Sequence, residues 1–468
     1  MMQFSTVIVI LFIMSLYANA GEKECFSSDS SAIQHKVLLI DAGSSGIRAL
    51  EYCLEKQINS VVFDLKHQSP IVEGDKLTLG NPLPKTIKSL INPLTLKRES
   101  ETADGHFFMG ATAGLRSLSG STSTKILKEK ANEIKGLFVD AKYNQNVRLL
   151  TGLEEGSYAW FGINYILQGR TDERDLVERI ERMSKYQHEQ FGIIEMGGGS
   201  VQVAFRIPID FRHKGLRRDS DYSSHRIEEA NVKRFYLSQG YKLDVYTNSL
   251  PRKGLNSIYE DIINEYITTP SNNPCLVRET PDDEGSYIAY AYGSFDRCKQ
   301  AVETVFQPVT STFNGEKMFD KKYSSVLPGK FFLAGYFFDR TAAMGLPDAF
   351  TPVMLENAAR RVCNMSYSAL SFHHLWGTIF SSSPKTALQF TKLKHAPPEL
   401  LYLLGGQPRT GDIEKYCTHL TYMSVLLDKI GLSPNHLLYT QKSLVYKNKG
   451  YGVSWPLGYA ILSANGWD

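Results

Sequence analysis

The chain has 468 residues, 42% hydrophobic and 22% charged, with a formal net charge of +3. That length exceeds one typical core and argues for two domains, and the composition is that of an ordinary globular protein. So small a net charge gives no bulk attraction to nucleic acid, and the basic run Arg212-His213-Lys214-Gly215-Leu216-Arg217-Arg218 reads as a solvated loop.

Val7 to Leu16 is apolar but too short for a comfortable membrane span, and it ends in Ala18-Asn19-Ala20, a small-x-small cleavage pattern. Residues 1–20 are therefore expected to be a signal peptide, leaving a secreted or periplasmic chain without a transmembrane anchor. All six cysteines (Cys25, Cys53, Cys275, Cys298, Cys363 and Cys417) lie beyond that point. An even number in an exported chain points to disulfides, with 15 possible connectivities. Pairing of sequence neighbours is the expectation: Cys25–Cys53, Cys275–Cys298 and Cys363–Cys417. No CxxC pair suggests zinc or thiol redox chemistry, and Asn364-Met365-Ser366 is a glycosylation sequon in a eukaryotic setting.

Next, Lys36 to Ile40 reads as a buried strand running into Asp41-Ala42-Gly43-Ser44-Ser45-Gly46 and a returning strand from Ile47. Phe107 to Ala111 is a strand that enters a helix through Thr112, Ala113 and Gly114. Taken alone, Thr112 and Arg116 read there as packing residues. Thr124 to Phe138 is amphipathic, with Ile126, Leu127, Ile134, Leu137 and Phe138 as its apolar stripe, and Asn146 to Leu150 is a short strand. Thr151-Gly152-Leu153-Glu154 forms a capping box, which leaves Glu155 over as a candidate general base. The helix that follows, Tyr158 to Leu167, is apolar nearly all round and so is expected to be buried. Gly169 to Lys185 is densely charged surface.

The first pattern returns at Phe191. A strand ends in Glu195-Met196-Gly197-Gly198-Gly199-Ser200, and a second strand leaves through Val201, Gln202 and Val203. From Arg206 to Lys322 the pattern is too weak to assign elements. Regular structure resumes around Phe331–Phe338, Leu355–Cys363 and Tyr416–Ile430, and Trp455 reads as a core aromatic. His373 and His374 are adjacent, so on regular structure they point apart and do not suggest a metal site.

Glycines let the backbone approach a ligand closely, and successive N–H groups in such a turn make a concave anion site. A carboxylate beside a phosphate is repelled unless a divalent cation lies between them. Two such hairpins facing each other would clamp a polyphosphate. Three consecutive glycines inside a strand pair cost stability, and a ligand explains them better than a turn does.

In order along the chain, these segments resemble the five conserved regions of the apyrase family of ecto-nucleoside triphosphate diphosphohydrolases. Ile40 to Ser45 is similar to the first, Gly110-Ala111-Thr112-Ala113-Gly114-Leu115-Arg116 to the second, and Thr151 to Trp160 with Asn164-Tyr165 to the third. Glu195 to Phe205 is similar to the fourth, and Ser454-Trp455-Pro456-Leu457-Gly458-Tyr459 to the fifth. The resemblance implies an α/β fold of two RNase H-like domains of the actin-like superfamily, with the active site in the interdomain cleft. The first domain would cover 33–150 and be completed by 446–468, and the second would cover 151–445.

The activity implied is stepwise hydrolysis of the terminal phosphate of nucleoside tri- and diphosphates with Mg²⁺ or Ca²⁺. Glu155 would be the base, with Ser200 and Gln202 holding the attacking water. Asp41 and Glu195 would anchor the metal through its water shell, with Thr112 and Trp455 near that shell. Gly43, Ser44, Ser45, Gly46, Thr112, Gly198 and Gly199 would cradle phosphates, and Tyr336, Phe337 and Phe338 lie where the family places an aromatic contact to the base.

The family's fourth region begins with Asp, where this chain has Glu195; Gly199 and Val201 replace Ala and Thr. One extra methylene can shift a metal by about an ångström, a misplacement worth ~100-fold in rate. The alternatives are an exopolyphosphatase-like hydrolase of the same fold and a nucleotide-binding actin-like scaffold with weak turnover.

Overall fold

The computed structural model describes residues 32–57, 63–69, 71–91, 103–137, 145–169, 190–207, 231–266, 272–281, 287–291, 293–306, 327–365, 370 and 414–467. The leader, Cys25, the basic run at 212–218, the charged stretch after Gly169 and His373-His374 lie outside these residues.

The first sheet starts from an antiparallel hairpin, β1 (Ala32–Ala42) and β2 (Ile47–Gln57), with β3 (Asp64–Gln68) and β4 (Val72–Gly74) paired to β2. β5 (Ala103–Ala111) and β6 (Gln145–Leu149) add in parallel on the other side of β1. Helices α1 (Lys85–Ile91), α2 (Ala113–Arg116) and α3 (Gly120–Lys135) fall between these strands, and α4 (Gly152–Gly169) leaves the sheet.

The second sheet repeats the plan. β7 (Gly192–Met196) and β8 (Ser200–Arg206) form the hairpin, and β9 (Val232–Tyr236) and β10 (Lys242–Pro251) follow. Next come α5 (Leu255–Glu265), the paired strands β11 (Arg278–Pro281) and β12 (Tyr287–Ala291), and α6 (Phe295–Phe306). β13 (Lys330–Gly335) then lies parallel to β7 and is followed by α7 (Tyr336–Ala343), β14 (Ala349–Phe350), α8 (Pro352–Cys363) and α9 (Tyr416–Ile430). β15 (Leu437–Thr440) lies parallel to β13. The chain closes with the hairpin β16 (Ser443–Tyr446) and β17 (Lys449–Gly452) and then α10 (Trp455–Asn465).

The strand orders are β3-β2-β1-β5-β6 and, inside the larger sheet, β10-β8-β7-β13-β15. Each has an antiparallel second strand and a parallel fourth and fifth, which is the RNase H-like order expected twice. The sequence echo between the two hairpins is thus the visible part of a repeated sheet.

Successive side chains of a strand point to opposite faces, and this alternation sorts the core into layers. Leu38, Ile40, Phe107 and Met109 face outward onto Ile87, Ile126 and Ile134 of the first helices. Val37, Leu39, Leu50, Tyr52 and Phe108 face inward, where Ile193, Ala204, Phe332 and Ala334 of the second sheet meet them across α4 and α10. Ile194, Met196, Val201, Val203, Phe331 and Leu333 face the remaining helices, α5 to α9. The all-round apolar α4 is therefore buried as its sequence requires: Tyr158, Ala159, Trp160, Phe161, Ile163 and Ile166 have no exposed surface.

The two central helices cross without side chains between them. A Cβ on Gly162 would stand 2.6 Å from the Gly458 nitrogen, and one on Gly458 would overlap the Tyr158 carbonyl. Asn164, buried on α4, donates to the Phe191 carbonyl at 3.1 Å and accepts from the Phe191 N–H at 2.9 Å, tying α4 to the start of β7.

Two disulfides, Cys275–Cys298 and Cys363–Cys417, join the expected neighbours. Cys53 is also disulfide-bonded, to a partner outside the described residues. Among the described residues no helix is long and apolar enough to cross a membrane.

The structure also adjusts the sequence reading. α3 begins at Gly120, not Thr124, because its first turn is polar and carries no apolar period, while Ser119 caps it through Thr122. β10 escaped notice because it buries Asp244, Thr247 and Asn248 among its apolar residues, which erases the two-residue alternation.

Candidate active site

Strand parity aims the carboxylates. Asp41 continues the inward-facing series Val37, Leu39, and Glu195 continues from Ile193, so each strand ends with its acid turned toward the central layer. Asp41 is 3% exposed and Glu195 7%. The hairpin registers match: Asp41 opposes Arg48 on β2, and Glu195 opposes Gln202 on β8. Each turn is closed by one backbone bond, Gly43 N–H to the Gly46 carbonyl at 2.9 Å and Gly197 N–H to the Ser200 carbonyl at 3.0 Å.

The tips of the two turns meet. A Cβ on Gly198 would lie 2.5 Å from Ser45 Oγ and 2.8 Å from Ser44 Oγ, so a side chain there would displace both hydroxyls. The first N–H groups of α5 bond to the second turn: Leu255 to the Gly197 carbonyl at 2.9 Å, Asn256 and Ser257 to the Gly198 carbonyl at 3.0 and 3.1 Å. In a trans peptide the N–H points opposite to the carbonyl of the same unit. With the Gly197 and Gly198 carbonyls turned to α5, the Gly198 and Gly199 N–H groups point away from that helix, as an anion cradle needs.

Glu155 sits in the first turn of α4. The capping box holds as expected, with Thr151 N–H donating to Glu154 Oε2 at 2.9 Å and Glu154 N–H to Thr151 Oγ1 at 3.1 Å, so Glu154 is occupied there. Glu155 is free of that duty and turns into a polar knot. Arg116 Nη2 donates to Glu155 Oε2 at 2.6 Å and to Ser200 Oγ at 3.1 Å, while its Nη1 donates to the Leu150 carbonyl at 2.9 Å. Gln202 Nε2 reaches Glu155 Oε2 at 3.1 Å, Ser200 Oγ at 2.7 Å and Ser249 Oγ at 3.3 Å. Arg116, read from sequence as a packing residue, is instead the cation of this knot.

The charges are crowded. Burial pushes the Glu155 carboxyl above its ordinary range, and Arg116 opposes the shift. Burial raises Glu195 much further, with the neighbouring Glu155 and Asp41 charges adding to it. Arg48 pairs with Asp41. Glu195 Oε2 and the Trp455 indole N–H are buried without a hydrogen-bond partner among the described residues.

The orphaned Glu195 oxygen beside mutually repelling carboxylates fits a hard cation with oxygen ligands. Among the described residues no three acidic, His or Cys side chains lie close enough to hold a metal directly. Thr112 is buried at this junction, its N–H bonded to the Ala42 carbonyl at 3.0 Å. Trp455 is a core aromatic, as read from sequence; it lies edge-on to Phe108, and its ring fills the space that a Cβ on Gly110, the residue paired with Asp41 across the sheet, would take.

The GDA1/CD39 (nucleoside phosphatase) family matches residues 28–467, spanning every element described. The chain belongs to this family. Among similar members, Apyrase 1 of Arabidopsis thaliana is 26% identical, the alignment covering 93% of this chain and 86% of that protein. The apyrase of Solanum tuberosum is 24% identical over 92% of this chain and 87% of its own. A solved structure of nucleoside triphosphate hydrolases from Neospora caninum superposes with a TM-score of 0.54 at 13% identity, covering 99% of this chain and 97% of that one, and so shares the fold.

Within this GDA1/CD39 chain the candidate aromatic contacts separate. Phe337 is fully buried in the outer core of the second sheet and leaves no face for a ligand; the inward turn of α7 removes it from consideration. Tyr336 reaches the site, its hydroxyl 3.0 Å from Ser45 Oγ, and Phe338 is half-buried beside it in sequence. Sequence reasoning missed Arg48 and Ser249. Arg48 was within reach of it, because Arg48 follows Asp41 at the interval by which Gln202 follows Glu195.

Proposed function

We propose that this chain hydrolyses the terminal phosphate of nucleoside tri- and diphosphates by attack of a water molecule activated by Glu155, with a divalent cation at the Asp41–Glu195 junction. The observation that carries this reading is the convergence of Arg116 and Gln202 on one oxygen of Glu155, with Ser200 Oγ within hydrogen-bond reach of both donors. A water held by Ser200 and Gln202 then sits beside the carboxylate that takes its proton. Its oxygen attacks the terminal phosphorus, and the bond from that phosphorus to the bridging oxygen breaks. Phosphoryl transfer asks chiefly for positioning and charge neutralisation, and the glycine turns supply the first through backbone N–H groups. The cation, held by Asp41 and Glu195 through water, would neutralise phosphate charge. Ser44 and Ser45 act as ligands, not nucleophiles.

The family membership and the apyrase names of its similar members support nucleotides as substrates. The disulfides support an oxidising compartment outside the cytosol. The test is phosphate release from ATP, ADP, AMP and inorganic polyphosphate, each with Mg²⁺, Ca²⁺ or EDTA. Cation-dependent release from ATP and ADP with AMP spared is expected; release from polyphosphate alone would move the chain to the exopolyphosphatase class.

A further inference from the structure

Ser45 lies at the tip of the first hairpin, and its hydroxyl is shared by two side chains from the other half of the molecule. Asn256 Nδ2 donates to Ser45 Oγ at 3.1 Å, and the Tyr336 hydroxyl stands 3.0 Å from the same oxygen. A serine hydroxyl has one proton to give and two lone pairs to accept with. A phosphate oxygen without a proton only accepts, so Ser45 serves it only by donating. The Asn256 amide, which accepts nothing through its NH₂, fills a lone pair of Ser45 and turns the hydroxyl proton elsewhere.

Asn256 is itself held firmly. It is the second residue of α5, its own N–H is bonded to the Gly198 carbonyl at 3.0 Å, and a Cβ on the helix-capping Gly254 would collide with the Gly198–Gly199 peptide. The same turn of α5 therefore fixes the second hairpin through its backbone and reaches the first through one side chain. Ser45 and Asn256 are both solvent-exposed, at the mouth between the hairpins.

We infer that Asn256 is a positioning residue for the phosphate cradle. It makes Ser45 a directed donor to a substrate phosphate oxygen, with the Tyr336 hydroxyl the resting partner that the phosphate displaces. This rests on the reading of the hairpins as a phosphate clamp.

The test is a double-mutant cycle on kcat/KM for ATP. Asn256→Ala should lower kcat/KM by about 3- to 10-fold, the worth of one such hydrogen bond, mainly through KM. In a Ser45→Ala background the same substitution should change little. Asn256→Asp, the same size but an acceptor, should be worse than Asn256→Ala, because it draws the Ser45 proton to itself. An equal loss in both backgrounds, or an Asp variant matching the wild type, would overturn the inference, whether or not Tm falls. If the wild type releases no phosphate, the nucleotidase reading fails alone. The cycle is then read on the Kd of a non-hydrolysable ATP analogue under the same criterion, and absence of binding overturns both.

Discussion

Arg48 and Gln202 occupy one position of a repeated hairpin: each lies directly across the ladder from the carboxylate that ends the strand before it, Asp41 for the one and Glu195 for the other. The repeat keeps the register and changes the chemistry. In the first sheet the partner is a cation paired to its acid; in the second it is a neutral amide that reaches past its acid to Glu155. The repeated sheets thus bring four side chains of distinct chemistry to matching positions.

Arg48 should therefore matter to turnover although it stands outside the residues that sequence reading picked. Arg48→Ala leaves Asp41 buried without its cation, and loss of a hydrogen bond to a charged group is worth about 10- to 100-fold. Steady-state kinetics on ATP and ADP check this; a wild-type kcat/KM would mark the pair as a surface ornament.

Glu155→Gln keeps the shape of the polar knot and removes the proton acceptor. Binding of a non-hydrolysable ATP analogue should persist while kcat falls by about 10²- to 10⁴-fold, the usual worth of a positioned base. Undiminished hydrolysis in this variant would assign the base elsewhere.

The pH profile separates burial from the Arg116 charge. Burial raises Glu155, and Arg116 favours its ionised form and so opposes the rise. Arg116→Gln removes the opposition. The acidic limb of kcat/KM, where the base becomes protonated, should move to higher pH than in the wild type. A limb that stays in place would show that Arg116 does not tune the carboxylate.

Glu195 should cost stability when no cation is present. A buried acid raised in the folded state binds its proton more tightly there than in the unfolded chain, so stability falls as pH rises from the ordinary carboxylate range to the raised value. In EDTA, Glu195→Gln should raise Tm at neutral pH and flatten this pH dependence. Added Mg²⁺ or Ca²⁺ should raise Tm in the wild type and less in the variant. Equal cation responses would remove Glu195 from the cation site.

Gly458→Ala tests the packing of the two central helices at a residue that makes no contact with the polar knot. The new methyl has the Tyr158 carbonyl in its place, backbone that cannot swing aside. Overpacking costs about 1–3 kcal/mol, and more where backbone blocks the new group, read as a lowered denaturation midpoint; an unchanged midpoint would mean that the crossing can spread.

The parts of the fold that a sequence can announce are those with local rules. Gly43 to Gly46 and Gly197 to Ser200 declared their hairpins because turns have residue requirements, and α4 declared its burial because no polar face survives between Tyr158 and Leu167. Arg116 was not legible as a site residue, since its meaning depends on Glu155 and Ser200, each brought from another element. Ser249 lies in the strand that its buried polar residues hide, and Asn256 opens the helix after it, so nothing local marked them. Phe337 shows the reverse error: neighbourhood in sequence suggested a contact that the direction of one helical turn forbids.

The crossing at Gly162 and Gly458 lies between the two sheets, and both helices that make it begin with a candidate site residue, one carrying Glu155 in its first turn and the other opening with Trp455. Backbone against backbone leaves no compressible layer of side chains, so the spacing of the two axes is set while the angle between them is restrained only by what packs farther out. Glu155 is about 10 Å along its helix from Gly162, at 1.5 Å per residue. A small roll about this pivot would move the Glu155 carboxylate and the Trp455 indole relative to each other as the tips of two short levers, while the bonds from Asn256 and Tyr336 to Ser45 hold the two hairpin tips together.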